Sequence, residues 1–332
     1  MAEFTLQNVS KSYGDQVALE NVSMTIPDGS FVVLLGPTGA GKTTTLRMVS
    51  GLDKPDSGSV LINGVDVASQ SPSQRNVAMV FQQYSLYPHL SVRDNLAFPL
   101  KSPMLKTPPD DIIRIVDKVA ETLQISHKLD NKATELSGGE MQRVSIGRAL
   151  VRNPQIYLMD EPLSSLDAKL RTDLRVELKR IQESLGATML YVTHDQIEAM
   201  TMATHVGVLD HGKLVQFGTP REIYENPVSI YAASRLGIPK INIVPADMFP
   251  GAPSGAKSIG LRPEHIAIGE GAEGFVTRVE YLGDQTRLHL SVGPNDIITL
   301  ADPHSTFRKG DKISISPKQN PIFFDASGAR MN

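Results

Sequence analysis

The segment Gly36–Thr43 constrains this chain most, because it reads G-x-x-x-x-G-K-T directly after five apolar residues, Phe31–Leu35. The apolar run predicts a buried strand, and Thr44–Met48 predicts the first turns of a helix. Glycines in such a loop let backbone N–H groups surround an anion, and the positive end of the following helix adds to the attraction. Lys42 is then expected to reach the β- and γ-phosphates and the Thr43 hydroxyl to hold Mg²⁺. The chain is therefore predicted to bind a nucleoside triphosphate.

Length and composition narrow the setting of this site. A chain of 332 residues favours two domains, and a net charge of −3 argues against nonspecific nucleic-acid binding as the main activity. Cysteine is absent from the sequence, so we expect no disulfide, no thiolate metal site and no thiol nucleophile. No signal-like start and no run near the ~20 apolar residues of a membrane span are present, so another subunit would have to cross a membrane.

The order of apolar segments predicts an α/β domain followed by an all-β domain. Strand-like and helix-like segments alternate over residues 1–235, with a helical insertion at about 92–152. Residues 237–257 are rich in proline and glycine and are interpreted as a linker. Short strands separated by turns then predict a small barrel or sandwich, which gives a second domain over 236–332.

Two acids mark the end of another predicted core strand. Asp160 and Glu161 follow the apolar run Ile156–Met159. A carboxylate at that position can hold Mg²⁺ or its water, and a second one beside it can orient an attacking water. The alternative interpretation of Asp160 and Glu161 is a pair of solvated acids at a strand end. A P-loop alone does not distinguish among kinases, GTPases and ATPases.

Two further polar residues follow predicted strands. His194 comes directly after Tyr191–Thr193 and could contact a γ-phosphate or the attacking water, and Gln82 follows the strand-like segment Asn76–Phe81. A lone histidine at such a position is more often a hydrogen-bonded structural residue, and Gln82 alone is compatible with an ordinary loop glutamine.

The segment Leu136–Glu140, LSGGE, predicts a second anion-binding helix start. Ser137 can cap the following helix, and Gly138 and Gly139 allow close approach by a phosphate. One bound nucleotide does not need two such sites on one chain. Two copies arranged head-to-tail could use them, each offering this segment to the other's nucleotide.

With these motifs in place, residues 1 to about 236 resemble the nucleotide-binding subunits of ABC transporters. GPTGAGKTT corresponds to Walker A, IYLMDE to Walker B, LSGGE to the signature and Ser164–Asp167 to the D-loop. Gln82 and His194 correspond to the Q-loop and H-loop, and Tyr13 to the aromatic that stacks on adenine. The resemblance implies a P-loop ABC ATPase core with a helical subdomain.

The resemblance also implies roles for individual residues. Catalysis is assigned to Glu161 as general base, His194 as γ-phosphate sensor and Lys42. Mg²⁺ is assigned to Thr43, Gln82 and Asp160. The nucleotide-binding set is Tyr13, Gly36, Pro37, Thr38, Gly39, Ala40, Gly41, Lys42, Thr43, Thr44 and Gln82. The residues expected to act across a dimer are Ser137, Gly138 and Gly139, which contact the opposite subunit's ATP, and Asp167, which couples the two sites.

One residue departs from the family's pattern, in which the signature usually ends in Gln where this chain has Glu140. Either residue can complete a capping box with Ser137, so we expect the helix start to be preserved. The added negative charge disfavours direct contact between Glu140 and a γ-phosphate.

Two segments resemble carbohydrate importers of the maltose and glycerol-phosphate type. Tyr84–Val92 is similar to their segment after the Q-loop, and Gly260–His265 and Tyr281–Asp284 are similar to their C-terminal regulatory domain, an OB-like, TOBE-type barrel. This implies an ATP-hydrolysing subunit, peripheral on the cytoplasmic face of the inner membrane, that energises sugar, polyol or glycerol-phosphate uptake. The implied partners are a second copy, two integral membrane permease subunits and, indirectly, a periplasmic or surface solute-binding protein, with no nucleic acid.

Other functions remain alternatives. Related importers of non-sugar solutes, such as polyamines or inorganic anions, carry similar barrels. Soluble ABC ATPases of DNA repair or translation usually have a coiled-coil insertion or two ATPase units, and neither pattern occurs in this sequence. A GTPase or small-molecule kinase is disfavoured because Asn131–Thr134 lacks the aspartate of a guanine-binding motif. A nucleic-acid-binding barrel is disfavoured by balanced charges and few aromatic residues after residue 236.

Overall fold

A computed structural model describes residues 2–103, 105–319 and 321–331. The chain forms two compact units, Met1–Pro220 and Arg221–Asn332. Among the described residues, none of the helices combines the length and the apolar character that crossing a membrane would require.

The first unit alternates strands and helices. Its strands are β1 (Phe4–Tyr13), β2 (Gln16–Ile26), β3 (Phe31–Leu35), β4 (Ser57–Ile62), β5 (Val65–Asp66), β6 (Val77–Val80), β7 (Ile156–Asp160), β8 (Thr188–Thr193), β9 (His205–Asp210) and β10 (Lys213–Gly218). Its helices are α1 (Lys42–Ser50), α2 (Val92–Ala97), α3 (Pro109–Thr122), α4 (Gly138–Leu150), α5 (Ala168–Leu185) and α6 (Gln196–Met202).

A central sheet positions the predicted site. Its strand order is β10-β9-β3-β8-β7-β6, and the pairs from β9 to β6 are parallel. Every residue of β3, β7 and β8 is buried, as expected for near-continuous apolar strands that are covered on both faces. Because parallel strands end at the same edge, the segments that follow β3, β6, β7 and β8 meet there.

A second, antiparallel sheet has the order β2-β1-β4-β5 and shares a core with the first. In its register Phe4 lies opposite both Ile26 and Ile62. Asn63 and Gly64 adopt positive φ angles of 49° and 76° and form a tight turn between β4 and β5. This sheet and α1 bury apolar side chains against β3 and β8 in one cluster.

The segment between β6 and β7 holds α2, α3 and α4, where the sequence predicted helices. Ser91 caps α2 by accepting a hydrogen bond from the Asp94 N–H at 3.0 Å. α4 packs closely on its neighbours, since a Cβ at Gly147 would lie 2.6 Å from Leu96 Cδ2 and 3.0 Å from Leu123 Cδ1. Glycine thus permits this close helix packing.

The second unit is rich in strands. Two short helices, α7 (Pro220–Glu225) and α8 (Ile230–Ala233), precede β11 (Asn242–Pro245), β12 (Ser258–Leu261), β13 (Ile266–Tyr281), β14 (Thr286–Val292), β15 (Asn295–Ala301), β16 (Lys312–Pro317) and β17 (Ile322–Phe324). In the described residues the antiparallel sheets have the orders β11-β12-β17 and β15-β14-β13-β16, and both contribute to one apolar cluster. An α/β unit is thus followed by a β-rich unit, as the predicted fold class requires.

The division between the units lies before the predicted boundary at 235/236, and Arg262 gives the physical reason. Its buried guanidinium donates hydrogen bonds to the carbonyl oxygens of Tyr224, Ala233 and Leu236 and stacks on the Tyr224 ring at 3.8 Å. These bonds attach residues 221–236 to the second unit. β11 also lies within the predicted 237–257 linker, where it pairs with β12.

Candidate functional site

The loop after β3 has the backbone of an anion cradle. Gly41, the N-cap residue of α1, has a φ of 99° and carries no side chain to cap the helix. A Cβ at Gly36 would lie 2.6 Å from the Leu209 carbonyl oxygen, and one at Gly41 would lie 2.6 Å from that of Ala18. Glycine is therefore required at both positions, and the start of α1 is left for an external anion to satisfy.

Lys42 is folded back onto this loop. Its side chain is 6% exposed, and Nζ donates hydrogen bonds to the carbonyl oxygens of Gly36 at 3.0 Å and Pro37 at 2.9 Å. Burial lowers the pKa of Lys42, while the carboxylates of Glu161 and Asp160 oppose this shift. A phosphate in the loop would therefore meet a desolvated ammonium group.

Thr43 and Asp160 meet beside the loop. The Thr43 hydroxyl donates to Asp160 Oδ1 at 3.1 Å, and burial raises the pKa of the Asp160 carboxyl. Within the described ranges, no group of three or more His, Cys, Asp and Glu side chains could hold a metal ion. One hydroxyl and one carboxylate nevertheless fit Mg²⁺, which commonly takes few protein ligands and completes its shell with phosphate and water.

Glu161 lies between Lys42 and His194. Its Oε1 is 3.8 Å from Lys42 Nζ, and its Oε2 is 3.1 Å from His194 Nδ1. Its backbone φ is 43°, a left-handed conformation that non-glycine residues adopt mainly where the surroundings enforce it. Here its N–H donates to the Val192 carbonyl of β8 at 3.0 Å. This contact links the end of β7 to β8 and aims the carboxylate over the loop.

These groups border one cavity of about 340 Å³. Its lining includes the predicted residues Tyr13, Thr38, Gly39, Gly41, Lys42, Thr43, Thr44, Gln82 and Glu161. Asp160 contacts the lining residue Thr43, and His194 contacts the lining residue Glu161. Gly36, Pro37 and Ala40 belong to the loop behind the cavity.

The cavity also involves residues that the sequence analysis did not identify. Gln16 and Ala18 of β2 line it, and Asp53 accepts a hydrogen bond from the Tyr13 hydroxyl. No sequence motif marks Gln16, Ala18 or Asp53 as a residue that faces a ligand. Gln82, which also lines the cavity, has Nε2 3.5 Å from Ser164 Oγ.

The predicted signature and D-loop lie together, but they do not line this cavity. Ser137 and Glu140 form the expected capping box at the start of α4. A Cβ at Gly139 would lie 2.0 Å from Leu170 Cδ2, and Asp167 Oδ1 caps α5 by accepting from the Leu170 N–H at 3.0 Å. Glycine at position 139 thus lets α4 pack closely against the Leu170 side chain of α5 within the same chain, which the sequence pattern did not indicate.

A separate groove lies beside the segment after β6. The Arg148 guanidinium stacks over the Tyr87 ring at 4.7 Å, and Tyr87 packs against Phe98 with ring centroids 4.3 Å apart. Phe81 and Phe98 are 40% and 46% exposed at its rim, and the groove holds about 270 Å³. Phe98, directly after α2, and Arg148, in α4, carry no local sequence motif that would mark this groove.

Comparison with known proteins identifies relatives of the whole chain. The ABC transporter family profile matches residues 19–164, and that of the TOBE domain matches residues 259–324. The sn-glycerol-3-phosphate import ATP-binding protein UgpC of Brucella abortus (strain 2308) is 44% identical, with 100% of both chains aligned. The maltose/maltodextrin import ATP-binding protein MalK of Photorhabdus laumondii is 43% identical over 88% of this chain and 86% of its own.

Solved structures show the same fold for the first unit. A dimeric bacterial ABC transporter cassette aligns with a TM-score of 0.60 and 31% identity over 66% of this chain and 99% of its own. A cassette dimer in a post-hydrolysis state with bound ADP and Pi aligns with a TM-score of 0.59 and 31% identity.

Proposed function

This chain belongs to the ATP-binding subunits of ABC transporters, and we propose that it energises uptake of a sugar, polyol or glycerol-phosphate-like solute across the cytoplasmic membrane. The observation that carries the proposal is the convergence of Lys42, Glu161 and His194 at one edge of the central sheet. The relatives named for sn-glycerol-3-phosphate and maltose import support the solute class.

Phosphate binding is assigned to the loop after β3 and to Lys42. The N–H groups at the start of α1 and the desolvated Lys42 ammonium match the charge of a triphosphate. Tyr13, 46% exposed at the cavity rim, offers a ring face for the adenine. Thr43, Asp160 and Gln82 would hold Mg²⁺, which neutralises phosphate charge during phosphoryl transfer.

Hydrolysis is assigned to Glu161. Its carboxylate faces the cavity and accepts the proton of the attacking water, while Lys42 stabilises negative charge on the phosphoryl group. His194, with Nδ1 on Glu161 Oε2, holds the carboxylate in place and senses the γ-phosphate.

A second copy of the chain is assigned to complete the site. The exposed Ser137 lies outside the chain's own cavity, and the cassette neighbours include dimers. In a head-to-tail pair, Ser137, Gly138 and Gly139 of one copy would cover the nucleotide of the other. Asp167, which caps α5 against Gly139, would couple the two sites.

We assign the docking of the membrane subunits to the aromatic groove, which is formed by Phe81, Tyr87, Phe98 and Arg148. Its exposed rings beside a cation suit a short amphipathic helix, and it adjoins the segment that carries Gln82. The chain would therefore work as a peripheral subunit on the cytoplasmic face of the inner membrane, beneath two permease subunits. A periplasmic or surface binding protein would deliver the solute to those subunits.

The two-domain division is also part of the proposal. The ATP-binding domain corresponds to the first unit, with α2–α4 as its helical subdomain, and the β-rich unit with its TOBE match is a regulatory domain.

Solute uptake by cells tests the proposal. Cells carrying the chain or its Lys42→Ala variant with the same membrane subunits are offered labelled maltose, sn-glycerol 3-phosphate, spermidine and phosphate. We expect Lys42→Ala to abolish uptake of a carbohydrate-class solute. If only spermidine or inorganic phosphate uptake is lost, the chain serves a non-sugar importer.

A further inference from the structure

The hydroxyl group of Ser137 is already occupied within its own chain. Ser137 Oγ donates to Glu140 Oε2 at 2.8 Å, and the Ser137 N–H donates to the same oxygen at 2.8 Å. The return bond, from the Glu140 N–H to Ser137 Oγ, is longer at 3.4 Å. Because a hydroxyl has one proton, Ser137 cannot donate to a phosphate oxygen while it donates to Glu140.

The Glu140 carboxylate is held at both of its oxygens. Lys128 Nζ lies 3.2 Å from Oε1, while Oε2 receives the two Ser137 bonds. The backbone N–H of Ser137, followed by the Ser137 hydroxyl and Lys128, holds the pKa of Glu140 below its ordinary value. The group is therefore an anion at neutral pH, next to the segment assigned to a partner's triphosphate.

We propose that Glu140 is a positioning residue that retains the Ser137 proton and so weakens nucleotide-driven association of two copies of this chain. The inference rests on the proposed function, in which Ser137 contacts the partner copy's ATP. A phosphate oxygen must take the Ser137 proton away from Glu140, and it must approach a carboxylate of like charge. Lys128 reduces this repulsion by remaining paired with the carboxylate.

Replacing Glu140 with Gln weakens this arrangement without removing the cap. The Gln amide oxygen can take the place of Oε2 and accept the same two Ser137 bonds, but as a neutral acceptor it holds the Ser137 proton less strongly than the carboxylate does. A phosphate can then take the Ser137 proton more easily, and no like charge opposes its approach.

Glu135 provides a matched control for the same chemical change. Its Oε2 accepts from Asn131 Nδ2 at 3.0 Å and from the Lys132 N–H at 3.2 Å, in a second capping box close to Ser137. Glu135→Gln therefore removes one negative charge near the signature and leaves the Ser137–Glu140 bonds in place.

The test uses sedimentation equilibrium of the full-length chain with Mg²⁺ and a non-hydrolysable ATP analogue. Glu140→Gln is expected to tighten nucleotide-dependent dimerisation by about tenfold, with Glu135→Gln within about twofold of the wild type. Lys128→Met is expected to weaken dimerisation by several-fold, because Glu140 loses its counter-charge. A Ser137→Ala background should abolish the effect of Glu140→Gln, which a merely structural role of Glu140 would not predict.

Nucleotide affinity, measured by calorimetry at protein concentrations below dimerisation, separates this inference from the proposed function. We expect equal affinities for all of these variants. Unchanged or weaker dimerisation in Glu140→Gln, or equal tightening in Glu135→Gln, would overturn the role of Glu140. Absence of nucleotide binding by the wild-type chain would instead refute the proposed function.

Discussion

The starts of α1 and α4 were both predicted to bind phosphate, yet the structure builds them in opposite ways. α1 begins after Gly41, and its first turn, Lys42–Thr44, contains a cation and no acid. α4 begins after Ser137, and its first turn contains Glu140, which completes a capping box. The first helix start depends on a ligand for its cap, whereas the second is satisfied by its own chain.

The difference shows that first-turn residues, more than the helix dipole, decide how a helix start meets an anion. At α1 a triphosphate can dock without displacing a side-chain cap, and Lys42, Thr43 and Asp160 come from the same chain. At α4 a phosphate must displace the Ser137–Glu140 bond. We therefore expect one copy to bind nucleotide alone, with α4 engaging it later.

Removing the proposed base should produce the largest effect and should act only on the α1 side. Glu161→Gln is expected to lower kcat for ATP hydrolysis by about a thousandfold, because an amide cannot accept the water proton. Nucleotide affinity should remain within about threefold, since the phosphate-binding groups are retained. Steady-state turnover and calorimetry measure the two quantities, and Glu135→Gln is the control for loss of a carboxylate. Full turnover in Glu161→Gln would exclude this residue as the base.

Removing one cation from each helix start compares the two starts directly. Lys42→Ala is expected to weaken ATP binding by about a hundredfold, because a buried charge that faces the phosphates is lost. Lys128→Ala removes a cation beside α4 and should leave the affinity of the isolated chain unchanged. Calorimetry of both variants checks this. Equal losses would mean that α4 contributes to nucleotide binding within one chain.

Local sequence patterns predicted the strands and caps that position the site. They did not predict contacts between segments that are distant in sequence. β3 has its predicted bounds, and the Ser137–Glu140 box formed as expected, because burial patterns and caps depend on neighbouring residues. The packing of Gly139 against Leu170 depends on how two helices meet. The division between the units lies before the predicted boundary for the same reason, because Arg262 donates hydrogen bonds to carbonyl oxygens that are far from it in sequence.

Removing the α4 cap should cost moderate stability and separate folding from function. Ser137→Ala is expected to lower the free energy of unfolding by about 1 kcal/mol. Ser91→Ala is a matched control, because Ser91 makes the same pair of bonds with Asp94 at the start of α2. Thermal unfolding should show similar losses for both variants, with nucleotide-dependent dimerisation weakened only in Ser137→Ala. Equal dimerisation in the two variants would reduce Ser137 to a structural cap.

The smallest effect concerns the buried acid on the α1 side. Burial raises the pKa of Asp160 in the folded chain, so the folded state holds a proton that the unfolded state has already released. Stability therefore falls as pH rises from the ordinary aspartate value through the raised one, and Asp160→Asn removes this loss. We expect the nucleotide-free variant to be more stable than the wild type at neutral pH, by less than about 1 kcal/mol.

Thermal unfolding across pH checks this sign. The advantage of Asp160→Asn should vanish below about pH 3, which is under the ordinary aspartate pKa, because the wild-type carboxyl is then protonated in both states. Asp210→Asn, at the end of β9, is a control that should bring no such gain, and the same gain there would contradict the assignment to burial. Saturating Mg²⁺ and nucleotide should stabilise the wild type more than Asp160→Asn. For Glu140 the dependence of stability on pH has the opposite sign, because bonds within its own chain lower its pKa. Burial of Asp160 near α1 thus lowers the stability of the nucleotide-free chain. Glu140 at the start of α4 instead stabilises the chain through its bonds with Ser137, and a partner's nucleotide must displace one of these bonds.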